Sequence, residues 1–349
     1  MPFELLNTYI KVGKFLALTP PSIEIDKNTK FRQIHQVFMI LLIVTCVTLS
    51  VYFRNFYLHY NLAKSTVCFL TDILLCAFCC RIVVETSKVS QWIELINCLK
   101  NTTCLLEETN SGKEKRMQWK FVLPQVIFGT VLIYVTYYWL SIVGVPQLEQ
   151  HGFEVLEMYI QFFYTFYVHT ILEMIRQRYE ALKHHFKDKL IRNDRNFAEM
   201  GHFACTLKDA VNKVNYIFGW SLLLLTAFTT LQFLNYLEYN LQSHEFGREN
   251  VSQIPTSMLL LKCDNIVEES EDIIFVVSKS GTKLTDPRIR EEIDRFGHIL
   301  ATNLPQFSAA RFIFLARSTI LSIFGTVATF FIVLVTFEPK ESSIIEATG

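Results

Sequence analysis

The chain has 349 residues, 51% of them hydrophobic, and carries 33 Lys and Arg against 33 Asp and Glu. A zero net charge supplies no basic field for a nucleic-acid partner. The apolar residues are gathered into blocks of about twenty between charged stretches, which is the layout of a membrane protein and not of a soluble one.

In chain order, residues 37–53 (VFMILLIVTCVTLSVYF) hold no charge and read as a first span. Residues 66–84 form a second, interrupted by Asp72 and Arg81. Residues 121–145 form a third with one Pro, and 155–175 an aromatic fourth with Glu157 and Glu173 near its ends. Residues 214–237 form a fifth, and 318–337 close the series. Each block is near the ~20 residues that cross a bilayer at 1.5 Å rise. Between the last two lies IPTSMLLLKCDNIVEESEDIIFVV, with Lys262, Asp264, Glu268, Glu269, Glu271 and Asp272 in its middle. Central charges cost roughly 2.5–3.5 kcal/mol each, so this segment does not insert alone. Either it crosses packed inside a bundle, or only residues 254–261 enter the membrane.

Charge asymmetry favours the crossing. With seven spans, 27 of the Lys and Arg fall on one side and 4 on the other. The positive-inside rule then places the N-terminus in the cytoplasm and the C-terminus outside. With six spans the alternation breaks. The sequon at Asn250 (NVS) falls outside, as a glycosylation candidate, whereas NTT at 101–103 falls inside, where it has no use. The start, MPFELLNTYIK, does not read as a cleaved signal peptide.

The inner stretches read as helical extensions. Beyond span 4, Ile175, Tyr179, Leu182 and Phe186 recur at steps of three and four. Before the last span, Asp286 is an N-cap and Pro287 a first helical residue, with Ile289, Ile293, Phe296 and Leu300 on one face. Such apolar stripes need partners, either each other or neighbouring subunits. The nine Cys form no zinc spacing, EESED (268–272) is no known calcium loop, and phosphate-loop and nucleophile-elbow motifs are absent. The reading is a non-enzyme with no metal and no cofactor.

Seven spans with an inside N-terminus is the topology of insect chemoreceptor channels and the reverse of a G-protein-coupled receptor. The block FSAARFIFLARSTILSIFGTVATFFIVLVTF (307–337) resembles the end of insect gustatory receptors. There an inner amphipathic helix leads into a last span ending in Thr-Tyr, five apolar residues and Gln-Phe. Here Thr329 and Phe330 stand for Thr-Tyr, 331–335 for the apolar five, and Thr336 and Phe337 for Gln-Phe. NYIFGWSLLLLTAF (215–228) is similar to the family's fifth span. Thr336 in place of Gln, and Ala310-Arg311 in place of Cys-Gly, mark a divergent member.

The resemblance implies a gustatory receptor: a ligand-gated, non-selective cation channel, homo- or heterotetrameric, in the plasma membrane of a sensory neuron. It implies that the last span lines the pore with Val333, Thr336 and Phe337, at i, i+3 and i+4 on one face. The organisation expected is a cytoplasmic segment 1–36, then spans 1–6 with inner extensions and a ligand pocket over 37–278. A cytoplasmic amphipathic helix follows at 279–317, then the pore-lining span 318–337 and an extracellular tail 338–349. A small-molecule tastant would enter the outer half of the bundle. There MYIQFFYTFY (158–167) and YVTYYWL (134–140) offer an aromatic lining with a few polar groups. The pocket candidates are Tyr134, Tyr137, Tyr138, Gln161, Phe162 and Tyr164, with Asp72 as an intramembrane acid that either serves the ligand or pairs locally. Interfacial aromatic belts use the same residues. A secondary transporter is the rival reading, but it predicts internal repeats, and none relates the two halves. A G-protein-coupled receptor would need the opposite orientation.

Overall fold

The computed structural model describes residues 9–14, 18–19, 29–57, 62–103, 114–192, 197–243, 254–282 and 286–337. Nine long helices follow one another among these residues: α1 (Thr29–Tyr57), α2 (Leu62–Glu85), α3 (Val89–Asn101), α4 (Glu114–Val143), α5 (Val145–Ile191), α6 (Ala198–Ser243), α7 (Ile254–Gly281), α8 (Pro287–Thr302) and α9 (Arg317–Phe337). A two-stranded antiparallel hairpin, β1 (Ser308–Ala309) and β2 (Ile313–Phe314), joins α8 to α9. The fold is an all-α membrane bundle in which α1, α2, α4, α5, α6, α7 and α9 occupy the seven span positions. Four described segments are long and apolar enough to cross by composition: Gln33–Arg54, Thr66–Glu85, Val122–Ile142 and Ala198–Leu234.

The core runs along α5 and α6. At the Lys- and Arg-rich end, Ile175, Tyr179, Leu182 and Phe186 of α5 are all buried, and so are Ile289, Ile293, Phe296 and Leu300 of α8. The two stripes meet where Phe186 packs on Phe296, with ring centroids 5.7 Å apart. Asp286 caps α8 by accepting from the Arg288 backbone N–H at 3.0 Å, with Pro287 in the first turn. The helical periods in the sequence therefore bury each other within one chain.

α7 is a single helix, and four of its acids, Asp264, Glu268, Glu269 and Asp272, are paired. Lys262 pairs with Glu173 of α5. Lys183 bonds Glu269 and Asp272, each at 3.0 Å, and these carboxylates raise its pKa against the desolvation that lowers it. Arg317, the first residue of α9, reaches Asp264 at 2.7 Å and Glu268 at 3.1 Å. The acidic half of α7 thus begins where α9 begins, at the basic end. The apolar half, with Leu259, Leu260 and Cys263 buried, lies within the span.

Three features depart from the linear reading. The stretch 146–154, read as a loop, is helical: α5 starts at Val145, and the chain turns at Gly144, whose φ of 83° suits glycine. The stretch 85–120, read as a loop, contains α3, which buries Trp92, Leu95, Ile96 and Leu99. Residues 9–14 are helical, with Tyr9 packed on Phe163 (5.4 Å) and Tyr167 (6.2 Å) of α5.

Arg178 holds α3 to α5. Its side chain is fully buried and donates through Nε and Nη2 to the Leu99 carbonyl (3.1 and 2.9 Å), and through Nε to Thr102 Oγ1 at 2.9 Å. A cation is thereby set at the C-terminal, electronegative end of α3. Burial holds its guanidinium at about 10, below the usual value, and it stays charged at neutral pH.

Candidate functional site

Two regions could carry function: the outer half of the bundle and the surface of α9. In the outer half, Asp72 of α2 meets Arg54 of α1 at 3.1 Å, with both side chains nearly buried. Asp72 thus has a cation partner on the neighbouring helix.

On α5, Gln161, Phe162 and Tyr164 are all buried. They do not share a direction. Residues two apart on a helix point to nearly opposite sides, so Phe162 stacks on Phe128 of α4 at 3.8 Å while Tyr164 turns to α2 and α6. Tyr164 lies edge-on to Phe78 at 5.4 Å, and its hydroxyl donates to Glu85 Oε2 at 3.1 Å. Gln161 is buried, and its Nε2 has no hydrogen-bond partner among the described residues. In a dry layer an unmatched amide is costly, so it is a natural polar contact for water or a small molecule.

The other pocket candidates, Tyr134, Tyr137 and Tyr138, lie on α4. They are 67%, 70% and 43% exposed and do not converge on Gln161. Within the chain α4 packs chiefly on α5, so most of its circumference faces outward, and YVTYYWL puts these rings there. Rings so placed face lipid or a neighbouring subunit.

A narrow apolar cavity of about 10 Å³, room for barely one water, lies between α5, α6 and α7, lined by Leu172, Leu225, Thr226 and Leu260. It holds no organic ligand as it stands.

The surface of α9 is two-sided. Val327 is buried, Ile320 and Ile323 are partly buried, and Phe324 meets Phe233 of α6 edge-on at 5.6 Å. At about 100° per residue, Ser318, Ser322 and Thr329 fall within about 40° of the point opposite Val327, and Thr326 lies on the flank between, about 100° from Val327. Ser318, Ser322, Thr326 and Thr329 are exposed. The hydroxyls of Ser322, Thr326 and Thr329 donate back to the carbonyls of Ser318, Ser322 and Gly325 at 3.0, 2.9 and 2.9 Å. Their donors are spent on the helix, so their lone pairs face outward. Val333 and Thr336 continue this line by steps of four and three. They and Phe337 lie on the helical backbone of α9, but their side chains, with that of Phe330, are outside the described residues, as are Asn250 and the tail 338–349. The hydroxyl line is the signal that sequence reading missed. It was available as the spacing Ser318, Ser322, Thr326, Thr329.

A family model for the 7tm chemosensory receptor matches residues 6–341. The chain belongs to the seven-transmembrane chemosensory receptor family. No curated protein matches it. Among solved structures, this chemosensory receptor is similar to the insect olfactory receptor OR5 from Machilis hrabei in complex with eugenol. The TM-score is 0.61 at 14% identity, over 95% of this chain and 99% of that one. The structure of that receptor described without eugenol gives a TM-score of 0.53 over the same shares. At such identity the likeness establishes the shared fold, and it accounts for α7 as a span despite its charges.

Proposed function

We propose that this chemoreceptor is a gustatory, ligand-gated, non-selective cation channel of the plasma membrane, with its N-terminus in the cytoplasm. The observation that carries the channel reading is the α9 surface. Beside the exposed apolar Leu321 and Ile332, α9 turns out a line of hydroxyl oxygens away from its buried face, which lipid alone does not call for. Such a line belongs against water or another subunit. Four copies that set α9 around one axis would place it on a permeation path, where oxygen lone pairs suit cations. Val333, Thr336 and Phe337 would form the outer part of that path, an apolar ring beside a polar one.

The ligand would be a small tastant bound in the outer half of the bundle, with Gln161 as a polar contact and Phe162 on the aromatic wall. Eugenol is the ligand of the Machilis hrabei receptor, and aromatic small molecules are therefore a sensible first class to try. The receptor would sit in sensory neurons, as a homotetramer or with other gustatory receptors.

Two experiments test this. Whole-cell recording from cells expressing the chain alone, across a broad tastant panel, should give ligand-evoked, poorly selective cation current. Ligand-evoked second-messenger signalling without current would refute it. An epitope at Met1 should stain only after permeabilisation, and staining of intact cells would reverse the orientation.

A further inference from the structure

The hairpin between α8 and α9 carries a patch that neither the permeation path nor the ligand pocket uses. Its turn residues Ala310 and Arg311 have φ of 50° and 64°, a left-handed pair adopted without glycine. The turn is pressed onto α6 at Gly219, where an added Cβ would lie 2.8 Å from the Ala310 nitrogen. This conformation presents Phe312, at the end of the turn, and Phe314 of β2 at 73% and 67% exposure. Phe312 lies edge-on to Trp220 of α6 at 6.0 Å. Trp220 in turn is one helical turn from Tyr216, and both are exposed. Lys88 sits over the Tyr216 ring at 4.6 Å and donates to the Tyr216 carbonyl at 3.1 Å. Tyr216, Trp220 and Phe312 thus form a line of exposed rings, with Lys88 over one end and Phe314 and Arg311 close in sequence to the other.

The patch lies where three spans end on the basic side. The α2 span closes at Glu85, α9 opens at Arg317, and the uncharged run of α6 begins at residue 214. The nearest carboxylate in sequence, Glu85, is buried and engaged by Tyr164 and Arg81, and it offsets Lys88 only in part. Trp and Tyr favour the headgroup layer, and Lys and Arg at that depth attract acidic headgroups.

We propose that this patch is an interfacial anchor that binds anionic phospholipid of the leaflet on the basic side. Ring character, charge and depth all match that partner. A water-facing surface would not gather four rings, and a dry contact between copies would not flank them with two cations. Because β2 runs straight into α9, the anchor holds the inner end of the helix proposed to line the pore.

The test uses the full-length protein in phosphatidylcholine vesicles, with and without phosphatidylserine. Trp220 is isolated by subtracting the emission of Trp220→Phe. With phosphatidylcholine brominated near the headgroup, the Trp220 emission should be quenched. Titration of phosphatidylserine by native mass spectrometry should show preferential binding, weakened about five-fold for each of Lys88→Gln and Arg311→Gln, the equivalent of ~1 kcal/mol per charge. Arg311 is exposed and Lys88 half-buried, and neither is part of the buried core. Unquenched Trp220, or binding that ignores phosphatidylserine, overturns the proposal. So does a smaller assembly mass in Phe312→Ala with lipid binding intact, which would make the patch a contact between copies.

Discussion

Arg178 offers a sharp test of how the bundle joins its basic end. Replacing it with Met keeps most of the buried volume but removes the fork that donates to the Leu99 carbonyl and Thr102 Oγ1. Each hydrogen bond from a charged donor contributes ~1.5–3 kcal/mol, and a cation near a helix C-terminus adds ~0.3–1 kcal/mol. Against this, burial costs the guanidinium enough to lower its pKa to about 10. Leu99 also keeps bonds from Thr102 and Thr103 after the change. The net expected loss for Arg178→Met is therefore about 3 kcal/mol, or a fall in melting temperature of roughly 4 °C for a chain of 349 residues. Arg178→Lys keeps the charge but not the planar fork and should recover about half of that loss. The assay is thermal unfolding of the detergent-solubilised protein, followed by fluorescence-detected gel filtration. An unchanged melting temperature in Arg178→Met would refute the claim that this side chain ties α3 to α5.

Gly219→Ala should destabilise by about 1–3 kcal/mol, because the new Cβ overpacks against the hairpin backbone. In an open helix the same change would stabilise by ~1 kcal/mol, so the sign of the melting shift decides. Arg54→Met and Asp72→Asn should each reduce surface expression by breaking the nearly buried 3.1 Å pair. The double apolar replacement, Arg54→Met with Asp72→Leu, should restore much of it, and additive losses would show that the two are independent. Thr336→Gln should alter conductance or ion selectivity without abolishing surface expression, and unchanged single-channel currents would remove Thr336 from the pore.

Much of this architecture could be read from local periodicity. The stripe of Ile175, Tyr179, Leu182 and Phe186 and the Asp286 cap of α8 are set by residues three or four apart, and the structure repeats them. α7 was legible only through charge asymmetry, because its acids find their cations on α5 and α9, far away in sequence. The Arg54–Asp72 and Arg178–Leu99 partnerships, each between different helices, were hidden for the same reason. Counting rings in 134–140 and 158–167 does not give their direction: among the described residues α4 packs chiefly on α5 and its tyrosines are exposed, while Phe162 and Tyr164 of α5 are buried. α3 was missed although Trp92, Leu95, Ile96 and Leu99 keep helical spacing, because a basic stretch between spans was taken as loop. On α9 the family motif drew attention to 329–337, while the exposed hydroxyls that extend the same face begin at Ser318.

The most direct test of the channel account is side-chain accessibility along α9. Single cysteines at Ser322, Thr326, Thr329 and Val327 would be treated with a positively charged thiosulfonate during ligand-evoked current, against the parent protein with its native cysteines. The account predicts irreversible loss of current at Ser322, Thr326 and Thr329, and none at Val327, which is buried. Modification of Val327 alone, or currents indifferent to the reagent at all four positions, would contradict it.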